Sequence, residues 1–511
     1  MARVLLVDDD PDQLDVRASI LTQAGHQVET ASNLTEALAR GQGCEAAVVD
    51  LIPETEELLR QLREAGTRVI VLSGRDPEIA ALSSRVDHFL MKPCPSRILL
   101  ESIARVCAVL LLMLLGCASA TAQTFNVSKR SEIVAELDLR APGMDWGREG
   151  HEAALVTILV DGKARQNVMI YGGDDRHTYP VFLGSLAPGE HRLAIEGSNF
   201  EQLGARFRED SSDILAQAPI LYARPNTIGH FTDIPLITYC ERLREGRYPV
   251  LQYTVIYSNE DAGTSTRALM ARWGRTTDIE WVYKAFLNAD GTVHHSTIQA
   301  AEHKETLFRG KREGTHPVLI TATGNNNVAD DAVSAVRYQI PPVIADLTAR
   351  SREQVMDDHP FSYLVMAKEL AREHKLRPYG TVEAQNVSDP RNYLYFEVNL
   401  VNHDSALGVL VRLRGDANWF SGDVGRADYA ITRDGWVRTT VELSPGTKAA
   451  QIGEIGFECL TDGKKVAGTC EVLAVTKCFF LEAGYQPGPN VWSLTEPRKI
   501  PTGQIWTSAL K

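Results

Sequence analysis

Apolar and polar positions alternate in two textures along the chain, and the change falls near residue 106. Before it, apolar residues come in short unbroken runs. RVLLVDD at residues 3–9 ends in acids and predicts a strand buried on both faces, as in a parallel sheet. A helical stretch follows from Pro11 to Ala24, with proline early and Gly25 closing it. His26 to Thr30 reads as a strand, Leu34 to Arg40 as a helix, and Ala46 to Asp50 as a third strand. Glu54 to Glu64 is helical and stopped by Gly66. Arg68 to Ser73 and Asp87 to Met91 complete five strands, and Pro95 to about Val106 forms a last helix. Strands alternating with helices predict an α/β doubly wound sheet over residues 1–106.

After residue 123 the runs alternate. Ala154 to Val160, Val250 to Tyr257, Tyr393 to Val398 and Ala406 to Val411 read as strands, and Asp161-Gly162, Asp290-Gly291, Asp434-Gly435 and Asp462-Gly463 as turns. Leu183 to Gly197 reads as strand, turn, strand. The expected class is a mostly-β, sandwich-like region with one or two helices, the clearest near 361–374. The boundaries expected are 123–200, 201–377 and 378–511, so the chain is multidomain.

Between the two textures lies VCAVLLLMLLGCASATA, residues 106–122, without a charge. Its dense apolar part is nearer a secretory segment of about 7–15 residues than a spanning helix of about 20. Ala120-Thr121-Ala122 has the small-x-small form of a cleavage site. Lys92, Arg97 and Arg105 precede it, which favours an inner, cytoplasmic N-terminal side. Residues 107–122 are therefore expected to be a signal or anchor segment, cleaved or retained. The region after 123 would then be periplasmic, extracellular or membrane-anchored.

Charge narrows the partners. The chain carries 53 basic and 66 acidic side chains, a net −13, which argues against a general nucleic-acid or anionic-membrane binder. The eight cysteines contain no CxxC pair, so a zinc ribbon is not expected. Cys459 with Cys470 or Cys478 would suit a disulfide in an exported region; in a reducing compartment the same residues would be buried thiols. No P-loop, HExxH or GxSxG occurs, and the glycine pattern at 41–46 precedes a strand instead of following one.

Candidate chemistry gathers at the ends of the early strands. Asp8, Asp9 and Asp10 end the first strand, Asp50 the third and Ser73 the fourth, while Lys92 follows the fifth. Acids there can hold a divalent cation, and a lysine and a hydroxyl can meet phosphoryl oxygens. In this order the motifs VLLVDDD, VVDLIP, VIVLSG and FLMKP resemble the response-regulator receiver family. The resemblance implies Asp50 as phosphoacceptor. It implies Mg²⁺ on Asp8, Asp9, Asp50 and the backbone carbonyl of Ile52, with Ser73 and Lys92 on the phosphoryl group and Phe89 as the aromatic switch residue. The implied partner is a histidine kinase or phosphotransfer protein. The short stretch between Ser73 and Lys92 implies a trimmed fourth helix.

In the later region Asp278-Ile279-Glu280-Trp281, His294-His295, His303 and Gly314-Thr315-His316 faintly resemble β-sandwich families related to vacuolar-sorting and necrosis-inducing proteins. That likeness implies a second metal site from Asp278, Glu280 and His316. Asn325 to Asp331 offers oxygens for calcium, and Trp419, Phe420, Tyr429 and Trp436 a sugar- or peptide-binding face. Three readings follow: a signalling receiver joined to a membrane-targeted domain, an exported or lipid-anchored binding protein fused to a receiver, and an exported metal-dependent enzyme.

Overall fold

A computed structural model describes residues 2–50, 55–73, 86–92, 94, 99–100, 102–103, 123–224, 233–260, 263–381, 385–461 and 468–510. The expected signal or anchor segment, the trimmed fourth helix, Ile52 and the Asp462-Gly463 turn lie outside the described residues. The chain divides into two compact units, Met1–Ala120 and Thr121–Lys511. No helix among the described residues is long and apolar enough to cross a membrane.

In the first unit the strands are β1 (Arg3–Val7), β2 (Gln27–Ala31), β3 (Ala46–Asp50), β4 (Arg68–Ser73) and β5 (His88–Met91). They pair in parallel in the order β2-β1-β3-β4-β5. The helices are α1 (Pro11–Gln23), α2 (Leu34–Arg40) and α3 (Thr55–Glu64). The two-residue period of a strand sends neighbouring side chains to opposite faces. Leu5, Val7, Val49 and Val71 accordingly pack with Ala37 of α2 and Leu58 and Leu62 of α3. Val4, Leu6, Val48 and Ile70 pack with Leu14 and Leu21 of α1, and with Leu99 and Ile103. Unbroken apolar strands are what a sheet covered on both faces requires. The strand order reverses between β1 and β3, which opens a crevice at the carboxyl ends of those strands.

The second unit is mostly β. One sheet runs His177–Leu186, Ser131–Arg140, Glu201–Asp210, and its neighbour Gln123–Val127, Gly189–Glu196, Ala154–Val160, Lys163–Ile170. Their apolar faces share one core. The strand-turn-strand segment near Leu183 is present, but its two strands enter different sheets. Asp161 and Gly162, at φ 53° and 75°, make the tight turn between Ala154–Val160 and Lys163–Ile170; this is the turn whose backbone twist suits a hairpin.

A central six-stranded sheet includes Pro235–Glu245, Tyr248–Tyr257, Asp278–Leu287 and Val293–Ala300. The last pair of sheets is built mainly from Tyr393–His403, Ser405–Leu413, Gly435–Glu442, Ile452–Thr461 and Thr469–Phe480. In Tyr393–His403 the residues Leu394, Phe396, Val398 and Leu400 enter this last core. Tyr393 and Tyr395 enter the first core instead, beside Tyr363 and Met366 of the helix Phe361–Arg372. One strand thus serves two cores, and the residues after 123 pack as one unit where the sequence suggests three.

Among the described residues three further α-helices accompany the expected one: Asp213–Ala216, Thr266–Trp273 and Gln354–Asp358. Each is eight residues or shorter, too short for a helical period to stand out. Cys459, Cys470 and Cys478 are buried free thiols. The Cys470 sulfur donates to Ala406 O at 3.3 Å, and burial pushes its thiol up to about 12.

Candidate functional site

The carboxyl ends of β1, β3 and β4 bring together Asp8, Asp50 and Ser73, which are 1%, 7% and 2% exposed. Asp9 is exposed on the loop beside them. Asp10 caps α1 by accepting from the backbone of Asp12 at 3.0 Å and of Gln13 at 3.3 Å. The Asp10 backbone N–H donates to Asp8 Oδ1 at 2.9 Å, so one cap fixes both the helix and the acidic loop. Lys92 N donates to Ser73 O at 2.8 Å, and the Lys92 ammonium pairs with Asp50 Oδ2. Phe89 lies on β5 in register with Val71.

A cation that the sequence reading missed completes the group. Arg17 of α1 pairs with Asp8 Oδ2 and lies 3.4 Å from Asp50 Oδ2 through the same guanidinium nitrogen. Leu14, Arg17 and Leu21 fall three and four residues apart, so they share the buried stripe of α1. An arginine on a core-facing stripe requires a buried anion, and that was the available signal.

Burial first, and then the adjoining Asp50 carboxyl, raise Asp8 above the ordinary carboxylate value; the Asp10 N–H and Arg17 pull the other way. Two buried carboxyls that destabilise each other's charge are a donor set suited to a hard divalent cation. Asp8 and Asp50 are therefore donors of the kind that ion takes, although no third His, Cys, Asp or Glu among the described residues is placed with them to complete a metal group.

The second expected metal group is not assembled as the sequence suggests. His316 Nδ1 meets Ala218 O at 2.9 Å, and its Nε2 meets Glu132 Oε1 at 3.0 Å. Both ring nitrogens are therefore engaged away from Asp278 and Glu280. The histidine that does approach is His303, whose Nδ1 lies 3.6 Å from Glu280 Oε2. Asp278 is held by Asn326 Nδ2 at 2.9 Å and the Ile279 N–H at 2.9 Å, and Glu280 accepts from Gln299. Among the described residues no group of three or more His, Cys, Asp and Glu is placed to hold a metal ion. Asn325 to Asp331 does not close into a calcium loop either: Asn326 serves Asp278, Asn327 faces His303 at 3.2 Å, and Asp330 accepts from the Arg309 N–H at 2.6 Å. Burial, followed by the charge of Asp278, pushes nearby Glu260 up to about 7.

Of the aromatic residues singled out in the last region, Tyr429 is buried. Trp419 lies under Arg412, and Trp436 lines a separate cleft with Trp281.

No family model matches the chain. The Mycobacterium tuberculosis transcriptional regulatory protein PrrA is 30% identical over 203 residues, covering 36% of this chain and 85% of that protein. Protein PilH of Pseudomonas aeruginosa is 28% identical over 120 residues, 21% of this chain and 99% of that protein. Among solved structures, the chemotaxis response regulator CheY4 of Vibrio cholerae is 29% identical over 21% of this chain and 98% of its own, with a TM-score of 0.20. A receiver domain protein from Clostridium thermocellum is 23% identical over 22% of this chain and 99% of its own, at 0.21.

Proposed function

This chain belongs to the response-regulator receiver family through its N-terminal ~120 residues, and on that premise we propose that Asp50 accepts a phosphoryl group from a histidine kinase or phosphotransfer protein. The observation that carries the reading is the Lys92–Asp50 ion pair at the strand ends, beside buried Asp8 and Ser73. The Asp50 carboxylate oxygen forms the new bond to phosphorus. The bond from phosphorus to the donor breaks, and its electron pair leaves with the donor. Lys92 then turns from the carboxylate to the phosphoryl oxygens, and the Ser73 hydroxyl donates to them. Asp8, Asp9, Asp50 and the Ile52 carbonyl would hold Mg²⁺, which supplies positive charge against carboxylate and phosphoryl oxygens.

The second half of the reading concerns place. Residues 107–122 act as a signal or anchor segment; the receiver stays cytoplasmic, and the mostly-β unit is exported or held at a membrane as the ligand-binding part. The uncharged run at 106–122 and the basic residues ahead of it support this. The division of the chain at residues 120 and 121 also suits a second arrangement, in which the β-rich unit works as an exported or lipid-anchored binding protein apart from its receiver.

The test is uptake of label from radioactive acetyl phosphate with Mg²⁺ by the full chain. Asp50→Asn should abolish it and Lys92→Ala should lower it strongly; equal labelling of Asp50→Asn rejects the acceptor. Intact mass in fractionated cells decides placement: a full-length species in the membrane fraction supports the joined signalling form, and a shorter exported species supports the second arrangement.

A further inference from the structure

In the second unit a cleft of about 320 Å³ opens where the central sheet meets the segment 347–352 and the turn before Gly435. Its floor is Tyr239 and Thr254, which stand opposite each other in register and are 1% and 2% exposed. Trp281 and Trp436 present partly exposed indoles to it. Arg350, Arg352 and Arg433 also line it, against the acids Glu241 and Asp434.

Arg350 is engaged by Asp346 O at 2.6 Å and by Asp358 at 3.3 Å. Arg433 makes no ion pair among the described residues. Removal from water, and next the like charge of Arg352, hold Arg433 below its ordinary value although the residue remains exposed. Arg352 donates through Nη1 to Ile279 O at 2.6 Å, and its buried Nε makes no hydrogen bond but lies 3.6 Å from Glu353 Oε1. The Thr254 hydroxyl, deep in the floor, bonds the Tyr239 hydroxyl. A buried N–H without a hydrogen bond is costly, and a guanidinium without a counter-ion favours an anionic ligand.

We propose that this cleft binds an anionic sugar, a uronic-acid-type ring whose carboxylate is held by Arg433 and Arg352. The guanidinium fork matches a carboxylate with two parallel hydrogen bonds. The indole faces of Trp281 and Trp436 take the apolar C–H face of the ring. The volume sits at the small end of ligand sites and limits the enclosed part to one or two sugar rings.

The cleft is held by a rigid support. Ser351 gives both its N–H and its hydroxyl to Glu397, and Glu397 pairs with Arg438 Nε at 2.8 Å. Segment 347–352 is thereby fastened to the last pair of sheets.

The experiment titrates the full-length protein with trigalacturonate, neutral galactotriose and inorganic phosphate, reading tryptophan fluorescence and calorimetric heat. Trigalacturonate should bind saturably and galactotriose should not. Arg433→Gln and Trp436→Ala should each weaken trigalacturonate about tenfold or more, with an unchanged melting temperature showing that the fold is kept. Four results overturn the proposal: no saturable binding of trigalacturonate by the folded protein, equal binding of the neutral trimer, binding indifferent to both substitutions, or binding of phosphate alone.

Discussion

Arg17 Nη1 lies 3.4 Å from Asp50 Oδ2, and the same nitrogen pairs with Asp8. A fixed cation thus stands among the carboxylates that the resemblance assigns to Mg²⁺. Arg17→Ala leaves the buried Asp8 and Asp50 with less positive charge. In Mg²⁺-free buffer the receiver unit should lose about 3 kcal/mol, the scale for breaking a buried pair. Added Mg²⁺ should recover most of that loss, and Mg²⁺ affinity should rise. Denaturant unfolding with and without Mg²⁺ checks this; an equal loss in both buffers would assign Arg17 a packing role only.

Most of this pocket was legible because acids, a serine and a lysine punctuate unbroken apolar runs, and strand ends are where a doubly wound sheet opens its crevice. Arg17 was not, since its α1 segment reads as an ordinary charged helix unless Leu14, Arg17 and Leu21 are seen as one stripe. The edge expected at residue 200 fails for a different reason. Glu201–Asp210 is a strand rich in charge, EQLGARFRED, so its sequence looks like a loop. It pairs with Ser131–Arg140, and Arg206 meets Glu136 and Asp138 across the sheet at 2.9 and 3.3 Å. His316 was grouped with Asp278 by sequence order, but its strand carries it to Glu132.

Glu260 makes stability depend on pH. Its folded value is about 7, above the ordinary carboxyl value of 4.5. Between these values the folded state binds the proton and the unfolded state does not. Stability from this residue is therefore present in full below about 4.5 and is lost as pH rises through about 7. Glu260→Gln should flatten that slope and stabilise the protein at pH 8 by about 1–3 kcal/mol. Urea unfolding at pH 5 and pH 8 reads it; equal stability of parent and variant at pH 8 contradicts it.

Arg438 is fully buried, with Glu397 at 2.8 Å, Asp357 at 2.9 Å and the Tyr363 hydroxyl at 3.0 Å. Lys477 joins at 2.9 Å from Asp357. Removing the arginine leaves Glu397 without a cation in the interior and Asp357 with Lys477 alone. Arg438→Ala should cost about 3–5 kcal/mol, and Arg438→Lys should recover little because one ammonium cannot reach both acids and Tyr363. Thermal unfolding of the two variants measures this; a lysine variant as stable as the parent would contradict the shared-fork account.

The thiols of Cys459, Cys470 and Cys478 should resist a thiol reagent in the native protein and react on unfolding, since all three are buried and unpaired by disulfide. A non-reducing peptide map should find no bridge among them. A bridged pair in protein isolated from its natural compartment would contradict the free-thiol arrangement.

The central claim is that Asp50 is the phosphoacceptor. Borohydride converts an aspartyl phosphate to homoserine, which marks the residue permanently. The full chain, exposed to acetyl phosphate and Mg²⁺ and then reduced, should yield homoserine at position 50 in the peptide running from β3, and nowhere else. Homoserine at another carboxylate, or none in protein that has taken up phosphate, would contradict it.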